Sequence, residues 1–409
     1  MGKENRWLIF LCAGRICLSL IFTSYSAVLP FVAAEWKMSS AQAGSVQSAW
    51  HGGYLISLFV AGFLADRFGA KKTLIRMSMA SAAASTAFAF FSRSYLSALV
   101  LFGIAGLCSG GSYTPGLKLI FERTAPRSKG AMMGFFLASG SIGYALALWL
   151  SAWVIPNAGW RAALGLCALV TVLGAATMLF SLRPVPETLV NTSRPQEPEN
   201  WSGLFRNRAA MSCILAYTFH AWELLGMWAW LPSFIIQTQA AFTGRVVTFG
   251  LTLAAISHLA SSLGSIIGGR LSDIFGRSFV MLVMSLASLS CSFSIGWLYG
   301  EPRILFFVLV IVYNLFAIGD SAVYSTALAE VVPAHRLGAA YSFRSVLGFG
   351  AGAISPWIFG VVLDFGQLGL VTKETAWGLS WTSLALGALP GIVMIRWFRK
   401  LVRQKVDLK

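Results

Sequence analysis

Gly62-Phe63-Leu64-Ala65-Asp66-Arg67-Phe68-Gly69-Ala70-Lys71-Lys72 lies between two long apolar runs. Gly269-Arg270-Leu271-Ser272-Asp273-Ile274-Phe275-Gly276-Arg277 lies between two others, 207 residues further on. Both turns keep the spacing Gly-x₃-Asp-x₂-Gly. A short charged turn repeated inside an apolar chain implies two homologous halves made of membrane spans. Composition agrees. Hydrophobic residues make up 57% of the 409 and charged residues 11%, with a mean hydropathy of +0.72, where a soluble domain carries roughly 25% charged residues. The net charge of +16 sits in short turns between the apolar runs, so it carries topology and argues against a nucleic-acid partner.

Apolar runs near 20 residues span a bilayer as helix. Twelve are predicted, at 7–33, 42–64, 72–93, 95–121, 130–155, 161–182, 209–236, 246–268, 279–299, 303–331, 338–362 and 377–398. The one long polar connection, residues 183–208, holds Arg183-Pro184-Val185-Pro186-Glu187 and Arg194-Pro195-Gln196-Glu197-Pro198-Glu199. It reads as a linker without apolar period between an N-terminal six-helix bundle, 1–182, and a C-terminal one, 209–409. No small-residue cleavage site follows the first span, so it reads as a span and not a signal peptide. With the N-terminus inside, the cytoplasmic turns and ends collect 22 Lys and Arg and the outer ones 6. That bias predicts both termini in the cytoplasm.

The first turn resembles, at every defining position, the cytoplasmic signature loop of the major facilitator superfamily. The second lacks the paired basic residues after its last glycine. The resemblance implies an all-α membrane protein of twelve transmembrane helices in two pseudo-symmetric six-helix bundles, working as a monomer by alternating access in the bacterial inner (plasma) membrane. It implies no cofactor, metal or catalytic residue. Gly62, Asp66, Arg67, Gly69, Lys71, Lys72, Asp273 and Arg277 become the gating motif, with Asp66 near the start of the eleventh helix. Spans 1, 4, 7 and 10 line the central cavity in this family, 2, 5, 8 and 11 flank it, and 3, 6, 9 and 12 face outward.

Ionisable residues inside a bilayer are costly and point to function. The predicted spans hold Arg15, His51, Lys118, His220, Glu223, His258, Asp320 and Arg344, all in lining or flanking spans. At 1.5 Å per residue, Arg15 and Arg344 lie roughly 12 and 10 Å in from the cytoplasmic side, His220 and Asp320 roughly 16 Å, and Glu223 roughly 21 Å. Two guanidiniums at that depth favour an anion, to which they offer fixed paired donors. Arg15, Arg344, Lys118, Tyr25 and Trp222 are the expected substrate-binding set. Glu223, Asp320 and His220 are expected to carry the coupling proton, since burial favours the neutral carboxyl. A structural alternative stands beside each. The arginines pair with Asp320 or Glu223 to neutralise buried charge, Lys118 snorkels to the interface, and His51 and His258 are satisfied within helix contacts. Pro115 and Pro232 are expected to kink spans 4 and 7.

The six cysteines fall inside spans without metal-ligand or redox spacing and read as small buried hydrophobes. Gly-x₃-Gly pairs such as Gly106/Gly110 and Gly130/Gly134 read as close helix packing. No phosphate-binding loop or nucleophile elbow is present, so the chain reads as a carrier driven by a gradient and not as an enzyme. The leading expectation is proton-coupled symport of a small organic or inorganic anion. The alternative is proton-coupled efflux of drugs or metabolites. Its helix-5 signature, Gly-Pro-x₂-Gly-Gly, is not matched by Gly134-Phe135-Phe136-Leu137-Ala138-Ser139-Gly140-Ser141-Ile142-Gly143. A third class, a non-transporting receptor on the same fold, has little reason to keep charges at the midplane.

Overall fold

Length and hydrophobicity decide the architecture: the predicted spans form helices, and among the described residues every regular element is helical. A computed structural model describes residues 6–123, 129–187, 201–238, 243–300, 304–333 and 336–407. The long elements are α1 (Arg6–Glu35), α2 (Ser40–Phe68), α3 (Ala70–Phe91), α4 (Tyr95–Ser109), α5 (Tyr113–Arg123) and α6 (Lys129–Leu182). After the short α7 (Trp201–Phe205) come α8 (Arg208–Gln237), α9 (Gly244–Phe275), α10 (Arg277–Ile295), α11 (Ile304–Gly319), α12 (Ser321–Val331), α13 (Leu337–Gln367) and α14 (Lys373–Asp407). The twelve predicted spans are all present. The fifth and sixth are the two arms of α6, whose backbone turns at Gly159 (φ 80°, ψ 170°). Side chains such as Phe91 and Ile304, 66% and 80% exposed, face outward as a multi-pass membrane protein requires.

Two spans are broken. The fourth passes through a 3₁₀ turn at Gly110–Ser112 between α4 and α5. Pro115 explains it, because proline has no N–H to offer the carbonyl four residues back. The tenth breaks between α11 and α12 at Asp320 (φ −92°, ψ −9°), a break without a proline and not foreseen. Pro232 lies inside α8.

The chain forms two compact units. The first comprises 1–38, 45–192 and 231–256, the second 39–44, 193–230 and 257–409. The start of α2 thus falls in the second unit, and the end of α8 with the first part of α9 in the first. In the first unit α1 and α3 pack on α6, around Leu11, Leu74, Phe136 and Met178. In the second, α10 and α13 pack on α14, with Ile214, Met281, Tyr324 and Ile395 in the core.

The predicted linker, 183–208, is described only at its two ends. Residues 188–200 lie outside the described residues, but what precedes and follows them is ordered by specific bonds. Glu187 folds back onto α3 and accepts from the backbone N–H of Lys71 (3.1 Å) and Lys72 (2.9 Å). It thus satisfies two of the N–H groups that a helix start leaves without partners. Asn207 caps α8 by accepting from the N–H of Ala210 at 3.1 Å. Of the two glycine pairs, Gly106 packs against the backbone of Trp50. Gly134 meets open space instead, so it does not serve close packing. Cys167, Cys213 and Cys291 are buried, while Cys12, Cys17 and Cys108 are only half-buried.

Candidate functional site

The repeated turns have one local cause. The last glycine of each copy joins two helices end to end at positive φ. Gly69 lies at φ 93°, ψ 145° and Gly276 at φ 89°, ψ 146°, a conformation that side-chain-bearing residues rarely adopt. The charges around the two glycines are wired differently. Asp66 receives the ammonium of Lys118 from α5, and the Lys71 ammonium donates to the carbonyls of Val185 (2.5 Å) and Arg183 (3.4 Å). The Arg67 guanidinium lies over the ring of Phe68 at 5.4 Å. In the second copy Arg277 pairs with Asp273 and donates through Nε to Glu330 at 3.0 Å. Lys118 therefore belongs with the turn. Near the end of its span, its flexible side chain reaches the Asp66 carboxylate.

In the first unit, Arg15 of α1 is 7% exposed. Its guanidinium lies over the ring of Phe136 from α6 at 4.4 Å and that of Tyr113 from α5 at 5.1 Å. Its Nε has no hydrogen-bond partner. Gly140 opens the adjoining notch, with the guanidinium and the Tyr144 hydroxyl both within 4 Å of where a Cβ would stand. In the second unit, Arg344 of α13 is set the same way. Its guanidinium lies over Tyr217 of α8 at 4.5 Å and Tyr341 at 5.0 Å, and Nη1 donates to Ser325 of α12 at 2.7 Å. Among the described residues neither arginine forms an ion pair. Aromatic faces offset part of the cost of burying a cation; they do not neutralise it.

The acidic residues are engaged elsewhere in the second unit. Asp320, 1% exposed, lies 3.0 Å from Nδ1 of His220 and accepts from the Ser285 hydroxyl of α10 at 2.8 Å. Glu223 accepts from the Ser288 hydroxyl at 2.8 Å. Both carboxylates and His220 line one cavity of about 10 Å³ among α8, α10, the α11–α12 break and α14, the room one water molecule needs. The expectation that Asp320 is counter-charge to an arginine is corrected: its partner is His220. The two lie at nearly equal depth on neighbouring helices, and the break at Asp320 turns its side chain toward α10.

Tyr25 and Trp222, expected at the substrate, each pack within their own unit. Tyr25 is fully buried against Phe102 (5.3 Å) and Phe88 (6.2 Å), on the face of α1 toward α3 and α4. Trp222 lays its indole across Gly387 of α14. The rings that face Arg15 are Tyr113 and Phe136, and those that face Arg344 are Tyr217 and Tyr341. Tyr113 and Tyr217 are aromatics in predicted lining spans, whereas Phe136 and Tyr341 lie in flanking ones and carried no sequence signal. His258 lies beside Trp228, ring centroids 5.1 Å apart.

A family model described as Major Facilitator Superfamily matches residues 11–356. The cis,cis-muconate transport protein of Acinetobacter baylyi is 25% identical over 365 residues, 86% of this chain and 85% of that protein. The hexuronate transporter of Bacillus subtilis is 21% identical over 379 residues, 87% of each. Among solved structures, one of the nucleoside transporter NupG superposes with a TM-score of 0.76 at 17% identity, covering 97% of this chain and 100% of that one; at that identity the likeness speaks for the fold.

Proposed function

Because the chain belongs to the Major Facilitator Superfamily, we propose that it is a secondary transporter carrying a small organic anion across the bacterial inner membrane together with a proton. The carrying observation is that Arg15 and Arg344 are braced by aromatic rings and, among the described residues, are paired with no carboxylate. A cation kept in an apolar span without a counter-charge lacks one that an anionic substrate supplies. That both named relatives carry organic acids supports the same class. In this reading Arg15 and Arg344 bind the anion, and the His220–Asp320–Glu223 cluster takes the proton. The two carboxyl groups and the imidazole face one cavity, and among the described residues no Lys or Arg is paired to either carboxyl. The chain acts as a monomer with both termini in the cytoplasm, and Asp66 and the second turn serve as its cytoplasmic gate.

Counterflow into proteoliposomes with small carboxylates and lipophilic cations tests the reading. Saturable carboxylate uptake that Arg15→Lys and Arg344→Lys weaken, and that an inward proton gradient drives, is the expected result. Saturable transport of a lipophilic cation, indifferent to both substitutions, refutes it in favour of efflux.

A further inference from the structure

α14 is longer than the bilayer it crosses. Its 35 residues, Lys373–Asp407, extend about 52 Å, where the hydrocarbon core is about 30 Å thick. The apolar span ends at 398, and the helix runs on from 399 to 407, roughly 13 Å further. One face holds this extension to the protein. Ile392, Ile395 and Phe398 are buried in the core of the second unit, and Leu401 and Val402 pack against the same core.

The other face changes character at one level. Leu386, Leu389 and Val393 are exposed and recur at intervals of three and four, so they share one side of the helix and present apolar surface to acyl chains. Arg396, Lys400 and Arg403, all exposed, are the next three steps of the same ladder. Trp397, 39% exposed, stands at the change, the residue type favoured where hydrocarbon meets headgroups. No acidic residue lies between Glu374 and Asp407. Among the described side chains no carboxylate pairs with any of the three cations.

We infer that Arg396, Lys400 and Arg403 form a docking surface for the headgroup of an anionic phospholipid, in the leaflet at the C-terminal end of α14. Continuity identifies the occupant: the side of the helix that meets acyl chains at Val393 meets their headgroups one turn further on. Arg396 and Arg403 offer planar forks to phosphate oxygens, with the Lys400 ammonium between them. Arg396 lies deepest and reaches the same layer by extending its side chain toward the headgroups. Three cations without a carboxylate select a lipid of net negative charge. A zwitterionic lipid brings its own cation and gains less.

The surface is independent of the substrate and proton sites, and its test needs no transport. Native mass spectrometry of the purified full-length protein in neutral detergent, titrated with phosphatidylglycerol or phosphatidylcholine, reads it directly. The wild type should bind phosphatidylglycerol at least tenfold more tightly than phosphatidylcholine, since each basic residue near an anionic headgroup is worth about fivefold. Arg396→Gln, Lys400→Gln and Arg403→Gln together should remove that preference, and Lys400→Gln alone, the mildest change, should reduce it about fivefold. Arg206→Gln, Arg208→Gln and Arg270→Gln together remove the same charge from exposed positions elsewhere in the second unit and should leave the preference intact. A wild type without preference, a preference that survives the α14 substitutions, or an equal loss in the control overturns the surface. Displacement of the lipid by excess inorganic phosphate also overturns it, in favour of a site for soluble phosphate.

Discussion

Replacing Asp364 by asparagine should loosen the contact between the start of α2 and α13. The Asp364 carboxylate accepts from the backbone N–H of Ser40 at 2.5 Å and of Ala41 at 3.0 Å. Gln367 adds a bond from Nε2 to the Ser40 hydroxyl at 2.9 Å. Beneath them the backbones touch, Gly44 against Pro356 and Gly360 against Ser40, with no room for a Cβ at either glycine. Asparagine keeps the shape but turns one acceptor into a donor facing an N–H. The loss is one charge-assisted hydrogen bond, about 1.5–3 kcal/mol, and a helix-terminus interaction of about 0.3–1 kcal/mol. Because Asp364 is only half-buried, the lower end applies. About 2 kcal/mol corresponds to a roughly 30-fold shift in the population with this contact open. The assay is maleimide labelling of Ala43→Cys, a position with 0% exposure, after removal of the six native cysteines. Labelling should accelerate at least tenfold. A rate within twofold of the parent would show that the glycine contact alone holds these helices and that the carboxylate contributes nothing.

Gly360→Ala should act in the same direction and more strongly, since its Cβ meets the Ser40 backbone, which cannot rotate away; the same labelling rate checks it. Glu223→Gln should abolish accumulation driven by a proton gradient yet spare substrate exchange, and accumulation with unaltered pH dependence would place the proton elsewhere. Asp320→Asn should also lower yield or melting temperature, because asparagine keeps one acceptor oxygen where His220 and Ser285 each use one. Glu187→Ala should destabilise the start of α3 by about 1 kcal/mol, the worth of an N-terminal cap, seen as faster hydrogen exchange at Lys71 and Lys72. Asp66→Asn should raise labelling of the cytoplasmic vestibule and impair transport with expression intact; unchanged labelling would remove its gating role.

Apolar run length, the repeated Gly-x₃-Asp-x₂-Gly turn and the distribution of Lys and Arg are local properties, and by themselves they determined the span count, the duplication and the family. Gly69 and Gly276 carry their conformation in their own chemistry, and Pro115 likewise announced the break in the fourth span. Which ionisable residues deserved attention was also legible, because charge inside an apolar run is visible without coordinates. Their partners were not. Arg15 and Asp320 were candidates for each other on depth alone, yet depth leaves the rotation of each helix undetermined. That rotation is set by packing, by Gly387 admitting the Trp222 indole, Gly140 leaving a notch beside Arg15, and the α11–α12 break turning Asp320 toward Ser285 and His220. The same holds for Asp364, whose work at the start of α2, more than 300 residues away, no local pattern announces. Spacing along a helix says which residues share a face; only the tertiary structure decides what that face meets, because the meeting depends on side chains contributed by distant parts of the chain.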